Sequence, residues 1–130
     1  MNVPWTAESA AYSRAMVRVG SIVINVSDVP RAAEFWAKAL GYAPREGADE
    51  GWAMVLAQGG TAPNLSFDRG DRTHLDLYLN PGETQDGEVE RLIGLGATRV
   101  EDWPYPPGAD FVVLADPVGN LFCVIDSAEN

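Results

Sequence analysis

His74 and Asp76 are the two side chains whose types and spacing most directly suggest chemistry. They lie two residues apart in the β-rich segment 73–80, and His74 is the only histidine of the chain. Because alternate residues of a strand point to one face, a strand here places both side chains, and then Tyr78, on the same face. An imidazole beside a carboxylate can contact a ligand, act as a general base with an orienting partner, or supply two ligands to a metal ion.

Structural roles compete with each of these chemical roles. His74 fits a hydrogen-bonded histidine of a cleft as well as a ligand contact. Asp76 can fix the tautomer of the imidazole or hold a cationic ligand, and it can equally pair with Arg69 or Arg72 at a sheet edge. Cys123, the single cysteine, fits a small buried side chain better than a nucleophile, since free cysteine is among the most buried residue types. A histidine–aspartate iron site needs a second histidine, which the chain lacks.

Aromatic residues give a second indication of a binding site. Trp52 falls in the third predicted strand, and the proline-rich stretch 103–107, with Trp103 and Tyr105, follows the sixth. Proline-rich loops keep their shape at low entropic cost, and exposed tryptophan and tyrosine rings make flat binding surfaces. The same aromatics could cover an open sheet edge or pack against a second subunit. Trp36, at helical spacing from other apolar residues, is predicted to lie in the core.

Charge and composition exclude several classes of partner. Nine basic against nineteen acidic residues give a formal net charge of −10, so we predict binding neither to nucleic acid nor to membrane surfaces. The acidity favours solubility, and it also suits the attraction of cationic small molecules. No apolar run reaches the length of a membrane span, and one cysteine excludes an internal disulfide. These features predict a cytoplasmic protein.

The elements that must position these residues occur twice, in the order strand, helix and three strands. The first module, residues 17–69, is predicted to contain strands at 17–26, 42–46, 51–57 and 64–69 and a helix from Asp28 to Gly41. The second module, residues 72–127, is predicted to contain strands at 73–80, 97–101, 110–115 and 121–126 and a helix that begins at Thr84 or Asp86 and ends at Gly96. A single domain therefore spans residues 16–128, after an N-terminal extension at 1–15.

Paired motifs support a duplication. Leu40-Gly41 recurs as Leu95-Gly96 and Asn64-Leu65 as Asn120-Leu121, at separations of 55 and 56 residues. One such module cannot cover both faces of its own sheet. The prediction is an α+β fold in which two βαβββ modules form an eight-stranded curved sheet, with the helices outside and a central cleft inside.

Strand alternation then predicts which side chains face the cleft. Ile22 and Ile24 belong to the helix-side set of the first strand, which leaves Ser21 and Asn25 inward. The 56-residue separation matches Cys123 with Phe67, so Phe67 is predicted to point inward as well. With the aromatics, the predicted ligand-binding residues are Ser21, Asn25, Trp52, Phe67, His74, Asp76, Tyr78, Trp103, Tyr105 and Cys123.

These motifs together resemble a known superfamily. The segments that carry the likeness are 21–28, 33–36, 39–42, 74–77, 89–92, 95–97, 113–117 and 119–124. In their order they resemble the vicinal-oxygen-chelate (VOC) superfamily, which includes glyoxalase I, extradiol dioxygenases and bleomycin-binding resistance proteins. The likeness covers about residues 17–126, and it is strongest to the glyoxalase-like subgroup found in many bacteria.

The resemblance implies a function, but most of the metal-ligand positions of the superfamily hold other residue types in this sequence. Metal-dependent members take ligands from four cleft positions, which fall here on Ser21, about Phe67, His74 and Cys123, and only His74 matches the usual ligand types. We therefore expect no metal cofactor and no catalytic residue, and we expect a protein that binds a small aromatic or cationic organic molecule. The alternative is a metal-dependent lyase, isomerase or dioxygenase of glyoxalase I type, with a divalent ion. The resemblance also implies a homodimer.

Overall fold

The computed structural model describes residues 17–60, 62–70 and 72–126, so the predicted extension at 1–15 lies outside the described residues. The first module contains β1 (Arg18–Asn25), α1 (Val29–Leu40), β2 (Ala43–Pro44), β3 (Trp52–Leu56) and β4 (Asn64–Asp68). The second contains β5 (His74–Tyr78), α2 (Gln85–Gly94), β6 (Thr98–Arg99), β7 (Phe111–Ala115) and β8 (Leu121–Ile125). The predicted order of elements is confirmed in both modules.

All eight strands belong to one open mixed sheet. Their order is β2-β3-β4-β1-β5-β8-β7-β6, so the first strands of the two modules, β1 and β5, are antiparallel neighbours in the middle. Within each module the first and last strands are parallel, β1 with β4 and β5 with β8. The predicted α+β fold of two βαβββ modules is therefore confirmed.

The helix α1 begins and ends where the sequence predicts, whereas α2 begins at one of its two predicted caps, Thr84, and has Leu95 as its C-cap, one residue before the predicted Gly96. Asp28 Oδ1 accepts a hydrogen bond from the Arg31 backbone N–H at 3.1 Å, and Gly41 ends α1 in the left-handed region at φ 71°. Thr84 Oγ1 accepts from the Gly87 N–H at 3.0 Å and caps α2. These local signals determine where the two helices begin and where α1 ends.

Each helix covers an apolar cluster of its own module. Under α1 the buried cluster consists of Val29, Ala53, Val55, Leu65 and Phe67. Under α2 the cluster consists of Val89, Ala97, Leu114 and Val124. Burial of these side chains holds the helices on the sheet and leaves the opposite face for a cleft.

The prediction that Phe67 faces the cleft is wrong. Phe67 is fully buried under α1, and its strand position pairs with Ile24, which also packs against that cluster. The cleft-side residues of β4 are instead Asn64, Ser66 and Asp68, which pair with Ser21, Val23 and Asn25. The true separation between matching positions of β4 and β8 is therefore odd, and a one-residue error in register exchanges the two faces of a strand.

The prediction that Trp36 lies in the core is also wrong. Trp36 is 36% exposed, and its ring meets the Phe35 ring edge-on at 5.0 Å between centroids. The face of α1 that packs on the sheet is formed by the smaller residues Ala32, Ala33 and Ala37 together with Val29. Small side chains bring the helix close to the sheet, which turns the tryptophan towards the outer surface.

No helix in the described part of the chain is long and apolar enough to cross a bilayer.

Candidate functional site

The cleft-side residues of β5 and β8 lie where strand alternation predicts. Asp76 and Cys123 are paired across the two strands, and both line a cavity of about 190 Å³ together with His74. On the other face, Leu75 and Phe122 line a groove beside α2. We call the first space the histidine cavity, lined by Arg72, His74, Asp76, Trp103, Phe111, Val113, Leu121, Cys123 and Ile125.

The polar floor of the histidine cavity is a compact group of three side chains. His74 Nε2 lies 3.3 Å from Asp76 Oδ1, and the two side chains are only 10% and 20% exposed. The second ring nitrogen, Nδ1, lies 2.6 Å from the Arg72 carbonyl oxygen. One donor atom from each of His74, Asp76 and Cys123 lies within 4.8 Å of the others. Asp76 thus contacts His74, and Arg72 contributes its backbone to the same ring.

These contacts change the protonation of the imidazole. The hydrogen bond to Asp76, followed by that to the Cys123 side chain, raises the pKa of His74 from 6.5 to about 11, against the opposing effect of burial. At neutral pH the ring is therefore an imidazolium that can donate from Nδ1 to the Arg72 carbonyl and from Nε2 to Asp76. The floor of the cavity is a hydrogen-bonded ion pair.

Apolar side chains form the walls above this pair. Phe111 and Val113 come from β7, Leu121 and Ile125 from β8, and Trp103 from the loop before β7. Sequence reasoning missed the β7 residues. In the structure Val113 pairs with Cys123 and Phe111 with Ile125. The alternation of side chains that predicts the cleft face of β8 would have predicted both residues if it had been extended to β7.

Tyr105 supports the aromatic loop and is not among the residues that line the cavity. It is 41% exposed, its hydroxyl accepts a hydrogen bond from the Val113 N–H at 2.7 Å, and its ring lies 5.4 Å from that of Phe111. Because β6 contains only Thr98 and Arg99, Tyr105 satisfies a backbone donor of β7 beyond the end of that strand. Of the two aromatic residues predicted to bind a ligand in this loop, Trp103 forms part of the cavity wall, and Tyr105 holds the loop against β7.

Tyr78 lies on the cleft face but lines a different cavity. This second space, of about 400 Å³, belongs to the first module and includes Arg18, Arg45, Asn64 and Tyr78 in its lining. Among the residues that the structure describes, none lines both cavities. Burial raises the pKa of Tyr78, and the charge of Asp76 adds to this effect. The cleft thus contains two separate cavities.

The remaining predicted residues line neither cavity. Ser21 is fully buried, and its hydroxyl lies near that of Tyr78. Asn25 is exposed and its side chain donates to the Arg69 carbonyl at 3.4 Å. Trp52 lies on β3, where it pairs with Asp68 of β4. Of the ten predicted residues, the structure brings together His74, Asp76, Trp103 and Cys123.

Several solved structures resemble this chain. An NAD-dependent benzaldehyde dehydrogenase from Legionella pneumophila is 14% identical, aligns over 81% of this chain and 96% of its own, and has a TM-score of 0.59. A bleomycin-binding protein from Streptomyces verticillus is 18% identical over 85% and 96%, with a TM-score of 0.34. A lactoylglutathione lyase from Agrobacterium tumefaciens is 14% identical over 82% and 91%, with a TM-score of 0.34. At such identities a likeness shows the fold alone.

No sequence among the curated proteins matches the chain. The family model described as "Glyoxalase-like domain" matches residues 21–125, which span most of the first module, the second module and the whole described lining of the histidine cavity. With the eight-stranded sheet of two βαβββ modules, this match shows that the chain belongs to the glyoxalase-like domain family.

Proposed function

We propose that this protein binds a small organic molecule, without a metal, in the histidine cavity. The observation that carries the proposal is the combination of apolar walls with one polar group at the floor, the His74–Asp76 pair. Small-molecule sites have this composition, because apolar walls supply affinity while a few convergent polar atoms fix orientation. Binding needs no reacting group.

The walls and the charges favour an aromatic ligand over a cationic one. Trp103 and Phe111 offer ring faces and edges to a flat molecule. Arg72 and the imidazolium of His74 are positive, and Asp76 is the one acidic side chain among the described residues of the lining. A cavity of about 190 Å³ lies below the range of about 300–1,000 Å³ for drug-sized ligands. The ligand we propose is therefore a single-ring aromatic molecule with one hydrogen-bonding group.

Benzyl alcohol and benzylamine test this proposal, because they share a ring and differ in charge. Titration calorimetry should show saturable binding of benzyl alcohol that is tighter than that of benzylamine. Replacing a wall residue, Trp103→Ala, should weaken benzyl alcohol binding about tenfold, since truncation of a buried aromatic contact costs about 1–2 kcal/mol. Trp52→Ala is the matched control, and its affinity should stay unchanged. Equal weakening by both variants, or no binding by the wild type, would refute the proposal.

A metal centre is the second candidate, and one observation favours it. The ligand positions of the metal-dependent VOC members do not fit, because Ser21 is a buried hydroxyl and Phe67 lies under α1. A different set does fit, because His74, Asp76 and Cys123 offer nitrogen, oxygen and sulfur donors within 4.8 Å. The Arg72 carbonyl would orient the ring through Nδ1. A divalent ion bound there would supply Lewis-acid chemistry to a ligand oxygen.

Metal analysis separates the two candidates. A metal must displace the proton that the His74–Asp76 pair holds, so metal affinity should rise with pH if the site binds an ion at all. We expect protein purified without chelator to contain less than stoichiometric nickel, zinc, iron and manganese. A stoichiometric metal that is lost in both Asp76→Asn and Cys123→Ser would establish the second candidate in place of the first.

We propose further that the protein is a homodimer. The outer face of α1 leaves Phe35, Trp36 and Leu40 exposed, by 60%, 36% and 47%. Large apolar side chains grouped on one face favour association with another surface. The edge strand β2 follows α1 directly and is short, which makes the helix face the more suitable contact.

A further inference from the structure

The larger cavity of the cleft lies on the first module. The charged side chains in its lining are basic, whereas most charged residues of the chain are acidic. The cavity has a volume of about 400 Å³, and its lining includes Arg18 and Arg45 but no aspartate or glutamate among the described residues. The whole chain has nine basic against nineteen acidic residues. Two of the few arginines therefore meet in one cavity whose described lining contains no carboxylate. We call this space the arginine cavity.

Arg18 is held in place by neutral partners. Its Nη1 donates to the Leu79 carbonyl at 3.1 Å and to Asn80 Oδ1 at 2.7 Å, and the guanidinium carbon lies 5.5 Å from the centre of the Tyr78 ring. Within the described part of the chain, no carboxylate neutralises it. These contacts use Nη1 alone, so the Nε and Nη2 donors of the planar fork remain for a ligand.

Arg45, Asn64 and Tyr78 are the other polar side chains in the described lining of the cavity. Arg45 Nη1 lies 3.5 Å from Met54 Sδ, and the charge of Arg45 acts on the Tyr78 hydroxyl. Asn64 Oδ1 accepts a hydrogen bond from the Ala57 N–H at 2.8 Å. That bond occupies the acceptor side of the amide, and its N–H₂ group donates to the Tyr78 hydroxyl.

We propose that the arginine cavity binds the carboxylate or phosphate group of a small organic anion. Guanidinium forks bind both groups through paired hydrogen bonds, which are stronger than bonds between neutral groups. The site is separate from the histidine cavity, since none of the described residues lines both. The inference therefore goes beyond binding of an aromatic molecule and does not depend on it.

The net charge of −10 makes such a cavity unusual in this chain. Summed negative charge repels anions at long range, but that repulsion is screened beyond about 10 Å at 0.1 M salt. Local contacts to two arginines are screened less when they lie in a recess. An anion is therefore favoured by the cavity itself and not by the overall field of the protein.

Inorganic phosphate and acetate are the probes that test the proposal. Each is titrated at constant ionic strength against a chloride control, and backbone amide shifts are followed by NMR. The expected result is saturable binding of one or both probes, with a dissociation constant of about a millimolar or tighter, and shifts centred on Asn64 and Tyr78. The tighter probe identifies the anionic group. Shifts that track chloride equally would overturn the proposal.

Charge-neutral variants localise the site. Arg45→Gln should weaken binding of the tighter probe about tenfold, because a charge-assisted hydrogen bond to one arginine is lost. Arg18→Gln should do the same, and Arg45→Gln remains informative if loss of the Leu79 contact prevents folding. Arg99→Gln, on the edge strand β6 beside Glu90, removes the same charge outside the cavity and should leave affinity unchanged. Equal weakening by Arg99→Gln would overturn the proposal.

Discussion

At the residue scale, the decisive feature is the neighbourhood of His74. Asp76 at 3.3 Å and the Arg72 carbonyl at 2.6 Å satisfy the two ring nitrogens. The sequence predicted that His74 and Asp76 share a face, because two residues apart on a strand always do. It left open whether Asp76 pairs with the histidine or with an arginine, since side-chain torsions decide between neighbours of similar distance.

The raised pKa of His74 predicts how its contribution to stability depends on pH. The folded-state value of about 11 lies above the unfolded value of 6.5, so the stabilisation is full below pH 6.5 and is lost as pH rises towards 11. His74→Gln should therefore lower the free energy of unfolding by about 1.5–3 kcal/mol at pH 6, and by much less near pH 10. Urea denaturation at both values measures this. A difference between the two proteins that does not change with pH would contradict the assigned ion pair.

At the element scale, the decisive contact is the packing of the Tyr78 ring of β5 against the backbone of β1. A Cβ added to Gly20 would overlap the root of the Tyr78 ring, so the ring lies directly on the backbone of β1. Tyr78 is 8% exposed and lines only the arginine cavity of the two. This close approach requires glycine at position 20.

Gly20→Ala should therefore displace Tyr78 and destabilise the fold. Overpacking of this kind costs about 1–3 kcal/mol, and thermal unfolding should report it as a lower Tm. Gly94→Ala is the matched control, because a Cβ there meets nothing within 4 Å and alanine favours the helix α2 by about 1 kcal/mol. If Gly20→Ala were as stable as the wild type, the contact between Tyr78 and β1 would be wrong.

At the scale of the whole molecule, one sheet carries two chemically different cavities. The histidine cavity is lined by residues of the second module, and the arginine cavity by residues of the first module together with Tyr78 of β5. The duplication predicted the two halves. Their different linings follow from the substitution of side chains at related positions, because a shared backbone does not fix the chemistry of a site.

The exposed face of α1 predicts association of whole molecules. Sedimentation velocity at micromolar concentration should show a dimer, and Trp36→Glu should shift it to monomer by placing a charge among Phe35 and Leu40. Leu95→Glu is a useful comparison, because Leu95 is 70% exposed but follows the other helix, and it should leave the dimer intact. A wild-type monomer, or a dimer that survives Trp36→Glu, would argue against this contact face.

The sequence by itself determined the elements, their duplication and the faces of β5 and β8, because these depend on local periodicity and capping at Asp28, Thr84 and Gly41. Tertiary structure alone decided the face of β4, where Phe67 lies under α1 and Ser66 takes the cleft side. It also decided that Trp103 and Tyr105 have different roles, and that Tyr78 and His74 line different cavities. Each of these outcomes depends on register or packing between segments distant in sequence, which no local pattern specifies.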